Sequence, residues 1–186
     1  MLVGDAHHCR NVSLAHAPGP VGFNVLAPRI GGASFLDLFA GSGAVGLEAL
    51  SRGAALVAFV ERAPAALKVL NSNVARLGIS SGVPVYAKSV SAFLRSFAKS
   101  GPKPERYEVV FLDPPYDAVE EYAIALGLLG GTAQGILAQG AVVIAEHRRK
   151  QQLDEQYGNL KRTRLLEQGD AAMSFYAASS KLSGEQ

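Results

Sequence analysis

The sequence predicts an α/β fold, a Rossmann-like, seven-stranded, mostly parallel sheet with helices on both faces and an antiparallel hairpin at its C-terminal end. Three observations predict it. From Ser34 onward, short apolar runs alternate with amphipathic stretches. The first strand-to-helix junction is rich in glycine, at Gly41, Gly43 and Gly46. After Glu146 the rhythm changes, and two extended runs are separated only by Gln168-Gly169-Asp170.

Each element has its own signal. Phe35 to Phe39, Leu56 to Glu61, Val83 to Ala87, Tyr107 to Leu112 and Ala141 to Glu146 are apolar runs of strand length. Helices are expected between them: Ala44 to Arg52 closed by Gly53, Ala63 to Leu77 with Gly78 as C-cap, Val90 to Lys99, and about Val119 to Leu129 before Gly130-Gly131. Leu160 to Glu167 and Ala172 to Ala178 then form the edge hairpin. Phe175 and Tyr176 are neighbours in a strand and point to opposite faces, so one of the two is expected in the core. The domain is expected over residues 23–180, after an irregular segment at 1–22 and before a frayed tail at 181–186. There is no internal repeat.

Composition narrows the function classes. A chain of 186 residues with 48% hydrophobic content can fill one core, and a formal net charge of +2 is too small to announce a nucleic-acid binder. Cys9 is the single cysteine, which excludes an intrachain disulfide and a cysteine zinc cluster. His7, His8 and His16 lie near it in a polar, irregular stretch, and no metal is expected. Met1 to Pro20 shows neither a secretory leader nor a membrane span, so the expected location is the cytoplasm, with nothing that demands more than a monomer.

Chemistry concentrates in two places. Asp113-Pro114-Pro115-Tyr116 closes the fourth strand. Consecutive prolines fix φ and remove two backbone donors, so the Asp113 carboxylate and a Pro114 carbonyl can accept both N–H bonds of an exocyclic amine while Tyr116 stacks on the ring. The second place is Asp37 to Gly46, where Gly41, Gly43 and Gly46 satisfy G-x-G-x-x-G and Glu61 ends the second strand 20 residues after Gly41. Spacing alone suits either a nicotinamide dinucleotide or S-adenosylmethionine, since both need close backbone approach and a carboxylate for ribose hydroxyls. In an open α/β sheet, ligands bind at the carboxyl ends of the strands, so the glycine turn and the Asp-Pro-Pro-Tyr turn are expected to share one crevice.

Phe23-Asn24-Val25-Leu26, the run from Phe35 to Ala54 and Phe111-Leu112-Asp113-Pro114-Pro115-Tyr116 closely resemble the bacterial 16S ribosomal RNA guanine-N2 methyltransferases, which have the class I methyltransferase fold. The match covers roughly Phe23 to Ala178. Its first run is close to family-specific; the Asp-Pro-Pro-Tyr motif is shared with other exocyclic-amine methyltransferases, so adenine-N6 transfer stays open. The resemblance implies S-adenosylmethionine as methyl donor and small-subunit rRNA or an assembling 30S particle as partner. It also implies that Asp37, Ala40, Gly41, Ser42 and Gly43 line the methionine end of the cofactor, with Glu61 at its ribose and Phe39, Arg62, Ser89 and Val90 completing the pocket. Asp113, Pro114, Pro115 and Tyr116 form the catalytic set.

Other polar residues carry blander readings. Glu48 and Arg52 have the spacing of a helical ion pair, and Asn71 and Asn73 are expected on the surface. Arg148-Arg149-Lys150 and Lys161-Arg162-Thr163-Arg164, read as basic patches flanking a last helix, suit a solvated surface as well as an RNA contact. Two stretches depart from the family pattern. Leu14 to Gly22 stands where a basic hairpin with Arg-Pro-Thr and Arg-Glu motifs is usual, and Lys88-Ser89-Val90-Ser91 lacks the acid usual after the third strand, which predicts weaker cofactor binding.

Overall fold

The computed structural model describes residues 26–79, 81–99, 105–115 and 118–179. Its strands are β1 (Ser34–Leu38), β2 (Leu56–Glu61), β3 (Val85–Ala87), β4 (Tyr107–Leu112), β5 (Leu137–Arg148), β6 (Gln156–Tyr157), β7 (Leu160–Gln168) and β8 (Ala171–Ala178). The helices are α1 (Ala44–Ser51), α2 (Pro64–Arg76), α3 (Val90–Lys99) and α4 (Glu120–Leu129), with a short 3₁₀ turn at Gln134–Ile136. All eight strands form one sheet in the order β3-β2-β1-β4-β5-β8-β7-β6. Pairs from β3 through β5 are parallel; β8, β7 and β6 continue the sheet antiparallel.

The sheet therefore has eight strands where the sequence predicts seven. The addition is β6, whose two residues pair with Lys161 and Leu160 and are too few to show a period of two. Among the described residues no helix separates the two basic patches: β6 and turns do. β5 also begins earlier than expected, at Leu137. The register shifts between Tyr107 and Val109, and Gly140 takes φ 74°, so an irregularity lets the strand continue through residues that read as loop.

Alternation splits the core into two layers. Leu36, Leu38, Val60, Val110 and Leu112 pack with Phe93, Leu94 and Phe97 of α3 and Tyr122 and Leu126 of α4. Phe35, Val57, Phe59, Val109 and Phe111 face the other way, onto Val45 and Leu47 of α1, Leu70 of α2 and the helical residues 26–30. Phe175 and Tyr176 are both core residues, at 5% and 0% exposure, where the sequence predicts one. β8 lies between β5 and β7, and its residues Ala172 to Tyr176 are buried on both faces.

Candidate active site

The carboxyl end of β1 is where the backbone leaves ordinary conformations. Phe39 has φ 65°, the one non-glycine residue at positive φ among the described residues, followed by Gly41 at φ 54° and Gly43 at φ 80°. The turn is pinned by Ala40 N–H donating to the Val60 carbonyl (3.0 Å), Gly43 N–H to the Ala40 carbonyl (2.7 Å) and Asn73 Nδ2 to the Ser42 carbonyl (3.0 Å). The glycines do different work. A Cβ on Gly43 would collide with Leu70 Cδ1, and one on Gly46 would collide with the Phe59 ring and stand 2.8 Å from Val57 Cγ1, so these two let α1 and α2 close on the sheet. A Cβ on Gly41 meets nothing within 4 Å, which leaves its backbone open to a ligand.

Helix α1 has no side-chain cap from its own N-cap residue, Gly43. Asp37 supplies one from β1: its Oδ2 accepts the Gly46 N–H at 3.0 Å. Asp37 is 2% exposed, and burial pushes its carboxyl up to about 8; the Gly46 bond opposes that shift, while Asp113 and Glu61 add to it by repulsion. Glu61 is held just as firmly. Its Oε2 accepts the Gly41 N–H (2.8 Å), and its Oε1 accepts the Arg62 and Ala63 N–H groups, both at 2.7 Å, at the start of α2. Pro64 follows at the first helical position, where no N–H is needed.

These pieces surround one cleft of about 560 Å³. From the glycine end it is lined by Asp37, Phe39, Ala40, Gly41 and Ser42, from the end of β2 by Glu61 and Arg62, and from the junction between β3 and α3 by Ser89 and Val90. Asp113, Pro114 and Pro115 face it from β4, because β4 pairs directly with β1, Leu38 opposite Leu112. Pro114 is buried and Pro115 exposed, with the Pro115 carbonyl accepting the Ala118 N–H at 2.8 Å. Gly43 stands behind the turn, against Leu70, and does not line the cleft. Tyr116 lies outside the described residues.

Sequence reasoning missed three contributors. Asn73, expected on the surface, reaches across from α2 to hold the glycine turn. Lys88 lines the cleft beside Ser89, and Glu121 enters from the first turn of α4. None belongs to a recognisable motif; all three are placed by packing. Glu48 and Arg52 do form the expected ion pair, at 2.8 Å. No group of metal-ligating side chains occurs among the described residues, and none of their helices is long and apolar enough to cross a membrane.

A five-stranded parallel core with β1 beside β4, extended by an antiparallel β8 next to β5, is the class I methyltransferase sheet. The same fold is found in the solved structure "Putative methyltransferase yhhF from Escherichia coli", with a TM-score of 0.73, 32% identity, and 87% of this chain and 85% of that chain covered. The chain belongs to the family described as "Conserved hypothetical protein 95", whose model matches residues 21–177. It is 36% identical over 154 residues to "Putative rRNA methyltransferase YlbH" of Bacillus subtilis, covering 83% of this chain and 80% of that protein. It is 43% identical over 94 residues to "Ribosomal RNA small subunit methyltransferase D" of Escherichia coli strain K12, a match that spans 50% of this chain and 44% of that one.

Proposed function

We propose that this protein is an S-adenosylmethionine-dependent methyltransferase acting on the exocyclic N2 amine of a guanine in small-subunit rRNA. The observation that carries the reading is the shared cleft, in which a glycine turn and Glu61 face the Asp113-Pro114-Pro115 turn. The cofactor brings an electrophilic methyl on a sulfonium, and the residues present suit it. Gly41 leaves its backbone accessible, Glu61 is fixed beside that backbone for ribose hydroxyls, and three carboxyl groups (Glu61, Asp113, Glu121) line the cleft against two cations, Arg62 and Lys88, beside the Asp37 carboxyl that burial pushes up to about 8. Such a lining favours a cationic ligand over the pyrophosphate of a nicotinamide dinucleotide.

Asp113 and the Pro114 carbonyl act on the amine. Guanine N2 is a weak nucleophile because its lone pair is delocalised into the ring, and two acceptors on its hydrogens draw that pair back toward the incoming methyl. Rate then comes mainly from positioning, and no strong base is needed, because the extra proton becomes acidic once the new C–N bond forms. The relatives' names support rRNA as the substrate class. Labelled methyl transfer to small subunits from a strain lacking the family enzyme, beside fully modified subunits, tests the reading. Label confined to unmodified particles, recovered as N2-methylguanosine, is the expected result; no label on either, or label on adenine N6, overturns it.

A further inference from the structure

A second cleft, of about 460 Å³, opens where β5 ends, lined by Glu146, His147, Arg148, Lys150, Asp170 and Ala171. It lies at the end of the strand next to β4. Leu112 of β4 pairs with Ala145 of β5, so Asp113 and Glu146 are the next positions along neighbouring strands. The two carboxyl groups sense each other: burial above all, and then Asp113, push Glu146 up to about 7.

Glu146 is unusually committed. The Tyr122 hydroxyl donates to its main-chain carbonyl at 2.6 Å, yet its side-chain Oε2 is buried with no hydrogen-bond partner. A buried acceptor left unsatisfied costs stability. Around it, Arg148 and Lys150 are exposed at the strand end, which suits a cleft for an anionic polymer whose base goes inward. Guanine presents N1–H and the N2 amine side by side on one edge; adenine presents an acceptor at N1.

We infer that the second cleft takes the target nucleotide, with Glu146 accepting the N1–H of a guanine whose N2 amine reaches Asp113, and with Arg148 and Lys150 beside its phosphates. The inference rests on the guanine-N2 reading above. It assigns to Glu146 the discrimination of guanine from adenine, which the Asp-Pro-Pro-Tyr motif does not provide. A site built to accept a donor rejects the base that lacks it.

The test compares wild type, E146L, E146Q and K150A in methyl transfer to unmodified small subunits. Product nucleosides are read by mass spectrometry, S-adenosylhomocysteine affinity by calorimetry and melting temperature by scanning. E146L is expected to lose ~10- to 100-fold in kcat/KM, the scale of one hydrogen bond to a charged group, with unchanged S-adenosylhomocysteine affinity and a melting temperature no lower than wild type. E146Q, which keeps an acceptor, falls between the two. K150A raises KM with kcat unchanged. Wild-type N2-methylguanosine formation with E146L equally active, or E146L losing S-adenosylhomocysteine affinity in step with turnover, overturns the inference alone; unaltered KM in K150A removes its phosphate half. A wild type that makes N6-methyladenosine, or no product, overturns the guanine reading and the inference with it.

Discussion

At the ends of β1 and β2, the Asp37 and Glu61 carboxyl groups accept four backbone N–H bonds, from Gly46, Gly41, Arg62 and Ala63. At the end of β5, Glu146 keeps a buried carboxyl oxygen with none. The first region is finished by folding. Its acids organise the glycine turn and the starts of two helices, so the ligand-facing backbone is in place before anything binds. The second region leaves that oxygen without a donor, the observation from which the substrate-selecting role of Glu146 is inferred.

The largest effect should come from the residue between the two regions. Asp113→Ala is expected to lower methyl transfer ~10²- to 10³-fold, the scale of one preorganised contact at a reacting centre, while S-adenosylhomocysteine affinity stays close to wild type. Equal losses in both, read by kinetics and calorimetry, would place Asp113 in the cofactor half instead.

Two glycine substitutions sharpen the account of the finished region. Gly43→Ala forces a side chain onto Leu70 from a backbone at φ 80°, and an overpacked core position costs ~1 to 3 kcal/mol; chemical denaturation should show it. Gly41→Ala has strain at φ 54° but no collision, so its stability cost is smaller and its main loss falls on cofactor affinity. The reverse ranking in denaturation would break the division of labour between the two glycines.

The pH dependence separates the regions by their acids. Asp37 has a folded-state pKa of about 8 against an ordinary 3.8, so the folded state holds its proton more tightly. The stability this contributes is complete below the ordinary value and is lost as pH rises through about 8. Glu146 adds a slope of the same sign, from 4.5 to about 7. Asp37→Asn should therefore flatten the fall in melting temperature across the whole interval between 3.8 and about 8, leaving only the Glu146 contribution between 4.5 and about 7. An unchanged profile would mean that Asp37 is already ionised in the folded protein.

Smallest of all, Asn73→Ala removes one partly buried hydrogen bond to the Ser42 carbonyl, worth ~1 kcal/mol. A cofactor affinity a few-fold weaker, with kcat intact, is the expected result by calorimetry and kinetics. Unaltered affinity would show that the turn holds without α2.

What was legible in the sequence was whatever local chemistry dictates. Positive φ at Gly41 and Gly43, the acid closing β2 and the prolines after Asp113 are demands made within a few residues, and they fixed where β1, β2 and β4 end. Glu48 and Arg52, four apart on one helix, were legible for the same reason. Asn73 was not, because nothing in a helical asparagine announces a carbonyl 31 residues away. β6 was not, because two residues carry no period, and the earlier start of β5 depended on an irregularity that only pairing with β4 reveals.

The sequence by itself determined the α/β rhythm, the glycine turn and the proline turn after Asp113, since each follows from backbone sterics and side-chain inventory at short range. Tertiary structure alone decided that β8 packs into both core layers, that Asp37 is buried deeply enough to raise its pKa, and that Glu146 stands next to Asp113 in strand register. Burial and strand register are properties of what packs from elsewhere in the chain, and no short-range pattern encodes them.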